Sequence, residues 1–231
     1  MTTETGPAAV RGTYPVQVEG DPDQDLSRWL WLVKWLLAIP HYIVLWFLWI
    51  AYLLLSLVAL VSIVATRRYP RGIFAFNVGV LRWTWRVAFY SYGMLGTDRY
   101  PPFTLDEVPD YPARLHVDEP GELSPGLALV KWWLLAIPHY LIVGAFLGGF
   151  HFGTTGPNLG LVGALMLIAG FALLFTERYP RGVFDLAMGA NRWALRVGVY
   201  ASLMTDEYPP FRLDQGAREP AAVAGARHAG E

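Results

Sequence analysis

Two lysine and histidine pairs stand inside otherwise apolar sequence: Lys34 with His41, and Lys131 with His139. An imidazole titrates near neutrality and trades protons with a neighbouring amine, so such a pair inside a membrane-like segment is the raw material of a proton path or a general base. On a helix, a spacing of seven residues brings Lys34 and His41 onto about the same face. The spacing of eight between Lys131 and His139 turns that lysine away by roughly 100°. The pairs therefore disagree, and each histidine is expected to hydrogen-bond inside a helical bundle. The other histidines, His116, His151 and His228, have no HxxxH or ExxH spacing, and cysteine is absent. Neither a metal site, a cofactor nor a catalytic set is expected.

Arginine offers a different chemistry. Arg82 and Arg86, and again Arg192 and Arg196, lie four residues apart and share a helix face. The motif RYPRG occurs at Arg68–Gly72 and Arg178–Gly182 and supplies Arg68, Arg71, Arg178 and Arg181. Guanidinium groups bind phosphate oxygens in pairs, so these eight arginines are candidate contacts for anionic lipid headgroups. The plainer alternative is that they fix orientation and snorkel to the interface. Basic residues flank apolar helices instead of forming a soluble basic face, which argues against nucleic acid.

Those side chains have to be positioned by membrane helices. Hydrophobic residues make up 54% of the 231 and charged ones only 16%, a composition outside the soluble class. Sixteen of the eighteen basic residues are arginine. The chain is a tandem duplication: LLAIPHY, RYPRG, an Arg-Trp-x-x-Arg-Val helix and YPPF each occur twice. Copy one is expected over residues 14–105, a linker over 106–110 and copy two over 111–213, with disordered tails at 1–13 and 214–231. Copy two carries about a dozen extra residues, GGFHFGTTGPNLG, Gly148 to Gly160. Mid-helix they would strand polar backbone in hydrocarbon, so they are expected to lengthen a turn.

Each long apolar run is thus expected to be a hairpin of two spanning helices. In copy one these are Ser27–Ile50 and Leu53–Arg67, with Trp29 and Trp49 about 30 Å apart at two aromatic belts. Arginine at the second helix ends puts the termini in the cytoplasm; a single span over Tyr42–Thr66, returning through Phe74–Leu95, would put them outside. The third helices, Phe74–Leu95 and Phe184–Leu203, are expected to lie in the interface with arginine toward headgroups, spanning being the alternative. Strands are expected at Tyr14–Glu19, Ala113–Asp118, Phe103–Asp106 and Phe211–Asp214, forming a small sheet that ties the copies together.

With LLAIPHY, RYPRG, NVGVLRWTWRV and DRYPPF in view, the chain resembles a bacterial, mainly actinobacterial, membrane family, that of domain of unknown function 4389, in two copies. The resemblance implies a multi-pass protein of the bacterial cytoplasmic membrane with no assigned activity. The fold class expected is mainly α and integral to the membrane, each repeat a helical hairpin plus an amphipathic arginine-bearing helix. The function expected is a non-enzymatic scaffold or accessory subunit that engages anionic lipid and a membrane partner or a second copy. The alternatives are a small transporter or channel lined by Lys34, His41, Lys131 and His139, and, less favoured, a lipid-modifying enzyme.

Overall fold

The computed structural model describes residues 14–148 and 160–218. The expected tail at 1–13, nearly all of the glycine-rich insertion and residues 219–231 lie outside the described residues. The element order is β1 (Val16–Gly20), α1 (Trp31–Thr66), α2 (Arg71–Tyr90), β2 (Ala113–Val117), α3 (Pro125–Val130), a π-helical turn (Lys131–Leu135), α4 (Ile137–Leu147), α5 (Gly160–Thr176) and α6 (Arg181–Ala201). The chain is mainly helical with a small two-stranded sheet, as its sequence suggests.

The hairpin expected in copy one is instead one helix. α1 runs for 36 residues without a break, about 54 Å at 1.5 Å per residue. The reason is local: only Ala51 and Tyr52 separate the two expected helices, and neither stops a helix as glycine or proline would. Tyr52 instead packs into the core.

Copy two interrupts the same path between α4 and α5. α4 ends at Gly148 (φ 79°) and α5 begins at Gly160 (φ 60°), both left-handed. A Cβ on Gly160 would stand 2.3 Å from the Gly148 amide nitrogen and 2.7 Å from the Phe146 oxygen. Helices packed side by side keep their axes about 8–10 Å apart, so main chains this close mean that α5 resumes where α4 stops. The described helical path of copy two thus stops at Gly148 and resumes at Gly160. Burial agrees: Ala59 and Ile63 on α1 match Ala169 and Leu173 on α5. So do the ends, where Arg67 and Glu177 both adopt left-handed φ values of 59° and 56°. Among the described residues, α1 is long and apolar enough to cross a membrane, and α3 through α4, bent by 44°, makes a second if taken as one span.

The long helical paths form the outer layer. Trp31 at the start of α1 packs on Gly170 and Phe171 of α5, while the later part of α1 meets α3, so the two paths run side by side in opposite directions. α2 lies against α1, burying Leu45, Trp83 and Val87 between them. α6 lies likewise under α4 and α5.

Beneath α2 and α6 lies the sheet, antiparallel and in register Val18↔Leu115, residues that hold equivalent places in the two copies. Each strand sits on the third helix of the other copy. Arg82 of α2 donates to the Leu115 carbonyl of β2 at 3.0 Å, and Arg192 of α6 donates to the Val18 carbonyl of β1 at 3.0 and 2.9 Å. The third helices are therefore sandwiched between the outer helices and the sheet, and their arginine face turns inward instead of toward headgroups.

Two of the four expected strands form. Phe103–Asp106 and Phe211–Asp214 do not, because α2 and α6 claim them. Leu105 crosses Gly79 and Leu213 crosses Gly189 so closely that an added Cβ would meet them at 2.8 and 2.9 Å. Arg86 takes the Thr104 and Asp106 carbonyls, and Arg192 that of Asp214. The ordered chain also runs past residue 213, with the Ala217 carbonyl accepting from Gly20 N at 2.9 Å.

Replacing Arg192 by Met leaves the carbonyls of Val18, Asp214 and Gly216 without this donor, so it is expected to cost about 3 kcal/mol. Arg71→Gln, which loses an exposed 3.0 Å pair with Glu119, is expected to cost under about 0.5 kcal/mol. Thermal unfolding in detergent separates the two, and equal losses would contradict the exchange of strands.

Candidate functional site

Each copy buries one lysine, and the two are held alike. Lys34 Nζ donates to the Thr97 carbonyl at 2.7 Å and pairs with the Asp98 carboxylate at 2.8 Å, with the Tyr90 ring 5.1 Å away. Lys131 Nζ donates to the Thr205 carbonyl at 2.7 Å and pairs with Asp206 at 2.8 Å, with Tyr200 at 5.4 Å. Asp98 and Asp206 further accept from the amides of Ser27 and Ser124, each at 2.6 Å, which satisfies backbone at the entry to each long helical path. A buried ammonium with a carboxylate, a carbonyl and a ring face has its charge and donors met.

The expectation that the copies disagree is corrected by the backbone. The extra residue between Lys131 and His139 is absorbed in the π-helical turn, where the Ala136 amide reaches back five residues to the Lys131 carbonyl at 2.9 Å. That wider turn restores Lys131 to the place Lys34 holds.

The histidines are matched too. Trp83 Nε1 donates to His41 Nδ1 at 3.1 Å, and Trp193 Nε1 to His139 Nδ1 at 3.0 Å. Indole is only a donor, so each Nδ1 is an acceptor and a neutral ring carries its proton on Nε2. Phe103 stacks on His41 at 4.0 Å, and Phe211 on His139 at 4.4 Å. Both Nε2 atoms are buried without a hydrogen-bond partner. Near the proline turns, Tyr100 and Tyr208 donate to the carbonyls of Leu37 and Leu135 at 3.0 and 3.1 Å. In this arrangement the Nδ1 lone pair of each imidazole is spent on indole, and lysine and histidine hold separate partners.

The eight arginines divide into two groups. Arg86, Arg192 and Arg196 are buried and Arg82 is half-buried; all four bond main-chain carbonyls or carboxylates inside the protein. Their expected contact with headgroups is corrected, because a guanidinium committed to internal acceptors has little left for lipid. Arg68, Arg71, Arg178 and Arg181 are exposed where α1 and α5 give way to α2 and α6. Arg178 and Arg181 line a cleft of about 370 Å³ with Leu26, Leu173 and Phe184, together with Asp23 and Glu177.

Contacts between the copies recur around the sheet. Tyr14 donates to the Glu207 carbonyl and Tyr111 to that of Arg99, at 3.2 and 3.0 Å. Burial pushes both phenols above their ordinary range. Side-chain bonds from Glu19, opposed by burial and aided by Asp21, raise Arg114 in turn.

The sequence singled out both lysines and both histidines but not their partners. Thr97-Asp98 and Thr205-Asp206 carried a signal, standing just before each YPPF motif; Trp83 and Trp193 carried one as the tryptophan of each Arg-Trp-x-x-Arg.

Deleting the exposed Trp133 from the π-helical turn leaves seven positions between Lys131 and His139 and an α-helical ladder, so stability is expected to change little. Deleting the exposed Leu36 swings Lys34 off Asp98 by roughly 100° and is expected to cost about 2 kcal/mol or more. Circular dichroism melts in detergent compare them, and equal losses contradict the compensation.

No curated protein matches this chain, and no solved structure does. One family model matches residues 28–104 and 159–212, under the description Domain of unknown function (DUF4389). The first segment covers α1, α2 and the following YPPF segment. The second begins only at α5, although α3, the π-helical turn and α4 play the part of the first half of α1. Both strands fall outside the match. It covers more than half of the sequence and arrives in two pieces, one in each copy: the chain belongs to the DUF4389 family.

Proposed function

We propose that this protein is a non-enzymatic scaffold of the bacterial cytoplasmic membrane, its two long helical paths lying in the plane of one leaflet. The observation that carries this reading is an apolar face exposed along the whole length of α1, from Leu32 and Leu36 through Phe47 and Leu54 to Val61 and Val64. Trp133, Leu141, Ile168 and Phe175 continue it on the neighbouring path. Soluble proteins rarely leave so large an apolar surface bare.

Depth favours lying over crossing. A 36-residue helix would need a tilt of about 55° to fit about 30 Å of hydrocarbon, beyond the usual 0–40°. A crossing would also carry the sheet to the same depth, since it packs along α2. Its outward face bears His116 and the Arg114 pair with Glu19 and Asp21, charged groups that hydrocarbon does not tolerate. Lying flat puts apolar side chains about 5–10 Å into the leaflet and leaves the sheet in water.

Arg67, Arg68 and Arg71 stand at the far end of α1, and Arg178 and Arg181 at the far end of α5. Because the paths run oppositely, the basic corners lie at opposite ends of the apolar face. They are placed to meet anionic headgroups. A membrane protein or a second copy would be engaged through what the leaflet leaves free. The transporter alternative draws no support: its four polar residues each have internal partners.

The cysteine-free chain suits site-directed nitroxide labelling at Leu36, Phe47, Leu57 and Val61, with His116 as control, in anionic vesicles. Oxygen and nickel accessibility is expected to place the four at one shallow depth and His116 in water. A profile that deepens to mid-bilayer and rises again overturns the in-plane reading. Changing Arg68, Arg178 and Arg181 to Gln is expected to weaken vesicle binding by about 1 kcal/mol each, a loss that disappears at high salt.

A further inference from the structure

Between the two copies, a groove of about 380 Å³ opens onto the apolar face, a volume within the range of small-molecule sites. Its rim is Leu53, Leu57, Trp132 and Tyr140, all exposed side chains of the long helical paths, and its floor is Tyr52, Ser202 and Leu203, all buried. Gly198 of α6 forms part of the wall, and a Cβ there would meet nothing within 4 Å.

The groove arises where the duplication is unequal. In copy one the turn after α2 takes seven positions from Tyr90 to Thr97, and it carries Tyr92, whose hydroxyl donates to the Trp31 carbonyl at 2.6 Å. In copy two only five positions separate Tyr200 from Thr205, and Ala201, Ser202 and Leu203 stand there instead. No side chain of the size of Tyr92 reaches from this shorter turn to the neighbouring helix, and the space stays open.

We infer that this groove takes one acyl chain of a bilayer phospholipid. The claim rests on the in-plane reading, because the groove mouth is continuous with the face that reading puts in the leaflet. Aromatic and aliphatic walls suit a hydrocarbon chain; a water-filled groove would leave them wet. The floor is not wholly apolar. The Tyr52 hydroxyl faces that of Ser202 without closing a hydrogen bond to it. Ser56, also lining the groove, accepts from Asn77 at 3.2 Å. The Ser202 hydroxyl already donates to the Gly198 carbonyl at 2.7 Å, so the apolar walls select the occupant. The scaffold then holds one lipid apart from the annular ones, in the seam between its copies.

The test uses the full chain in phosphatidylglycerol vesicles containing a phosphatidylglycerol with a diazirine at the end of one acyl chain. After irradiation, cross-linked residues are mapped by mass spectrometry. Cross-links are expected at exposed Phe47 and Leu54 and also at the buried floor, Tyr52, Ser202 and Leu203. Gly198→Leu fills the groove from a position with open space and replaces a helical glycine by a better helix former, so it is expected to fold. It should cut floor cross-links at least tenfold while leaving those at Phe47 and Leu54. Face cross-links without floor cross-links in the wild-type chain overturn the groove and spare the in-plane reading. Floor cross-links that persist in Gly198→Leu overturn the groove as their source. Absence of both sets overturns the membrane reading itself.

Discussion

A buried guanidinium cannot shed its proton, and water is not at hand to solvate it, so its donors must find acceptors in the protein. In this chain those acceptors are main-chain carbonyls supplied from a distance. Arg82 takes the carbonyl of Leu115, and Arg192 takes those of Val18, Asp214 and Gly216. The bonds to Leu115 and Val18 each tie a third helix to a strand that the sequence assigns to the other copy, and so the structural halves are not the sequence repeats. A carbonyl bonded to a charged donor is also lost to strand pairing, which is why the sheet stops at two strands and the YPPF segments stay irregular.

The same demand explains how the duplication tolerates unequal copies. Copy two has one residue more before its histidine and twelve more in mid-helix, and either change would rotate or shift every later side chain in a rigid α-helix. The first is taken up by a π-helical turn that keeps Lys131 on Asp206. The second falls between two left-handed glycines whose backbones meet. In both cases the buried polar contacts keep their geometry and the backbone gives way. A π-turn strains one turn of hydrogen bonding, whereas a displaced ammonium would leave a charge unpaired away from water.

What the sequence made legible followed from local pattern. The duplication, the third helices, the strands at 16–20 and 113–117 and the two lysines and two histidines could all be read from motifs and periodicity. The hairpins could not, since a continuous apolar run of 36 residues has the same composition whether it folds back or goes straight. The inward turn of Arg86, Arg192 and Arg196 was hidden for a related reason: an arginine stripe on an aromatic helix has one appearance whether it meets phosphate or carbonyl, and only the partner segment decides. Glycines at 79 and 189 were the clue, because they face the same side as the arginines and admit a crossing chain that a headgroup contact would not require.

Symmetry ties the sheet to the apolar face. Because Val18 pairs with Leu115, the axis relating the copies passes through that pair, and two antiparallel strands of one sheet are exchanged by an axis normal to it. The layers of helix are stacked on the sheet, so that axis is also normal to the outer helices and exchanges their opposite directions. Laid flat on a leaflet as proposed, a body with such an axis would present both copies to it at the same depth, with basic ends at opposite corners. A transmembrane arrangement of the same helices would lay the axis in the membrane plane, and would then have to put one copy's arginine corner on each side of the bilayer. Arginine retention on one side disfavours that outcome, and the sheet, with its ion pairs among Glu19, Asp21 and Arg114, would lie midway between the two surfaces.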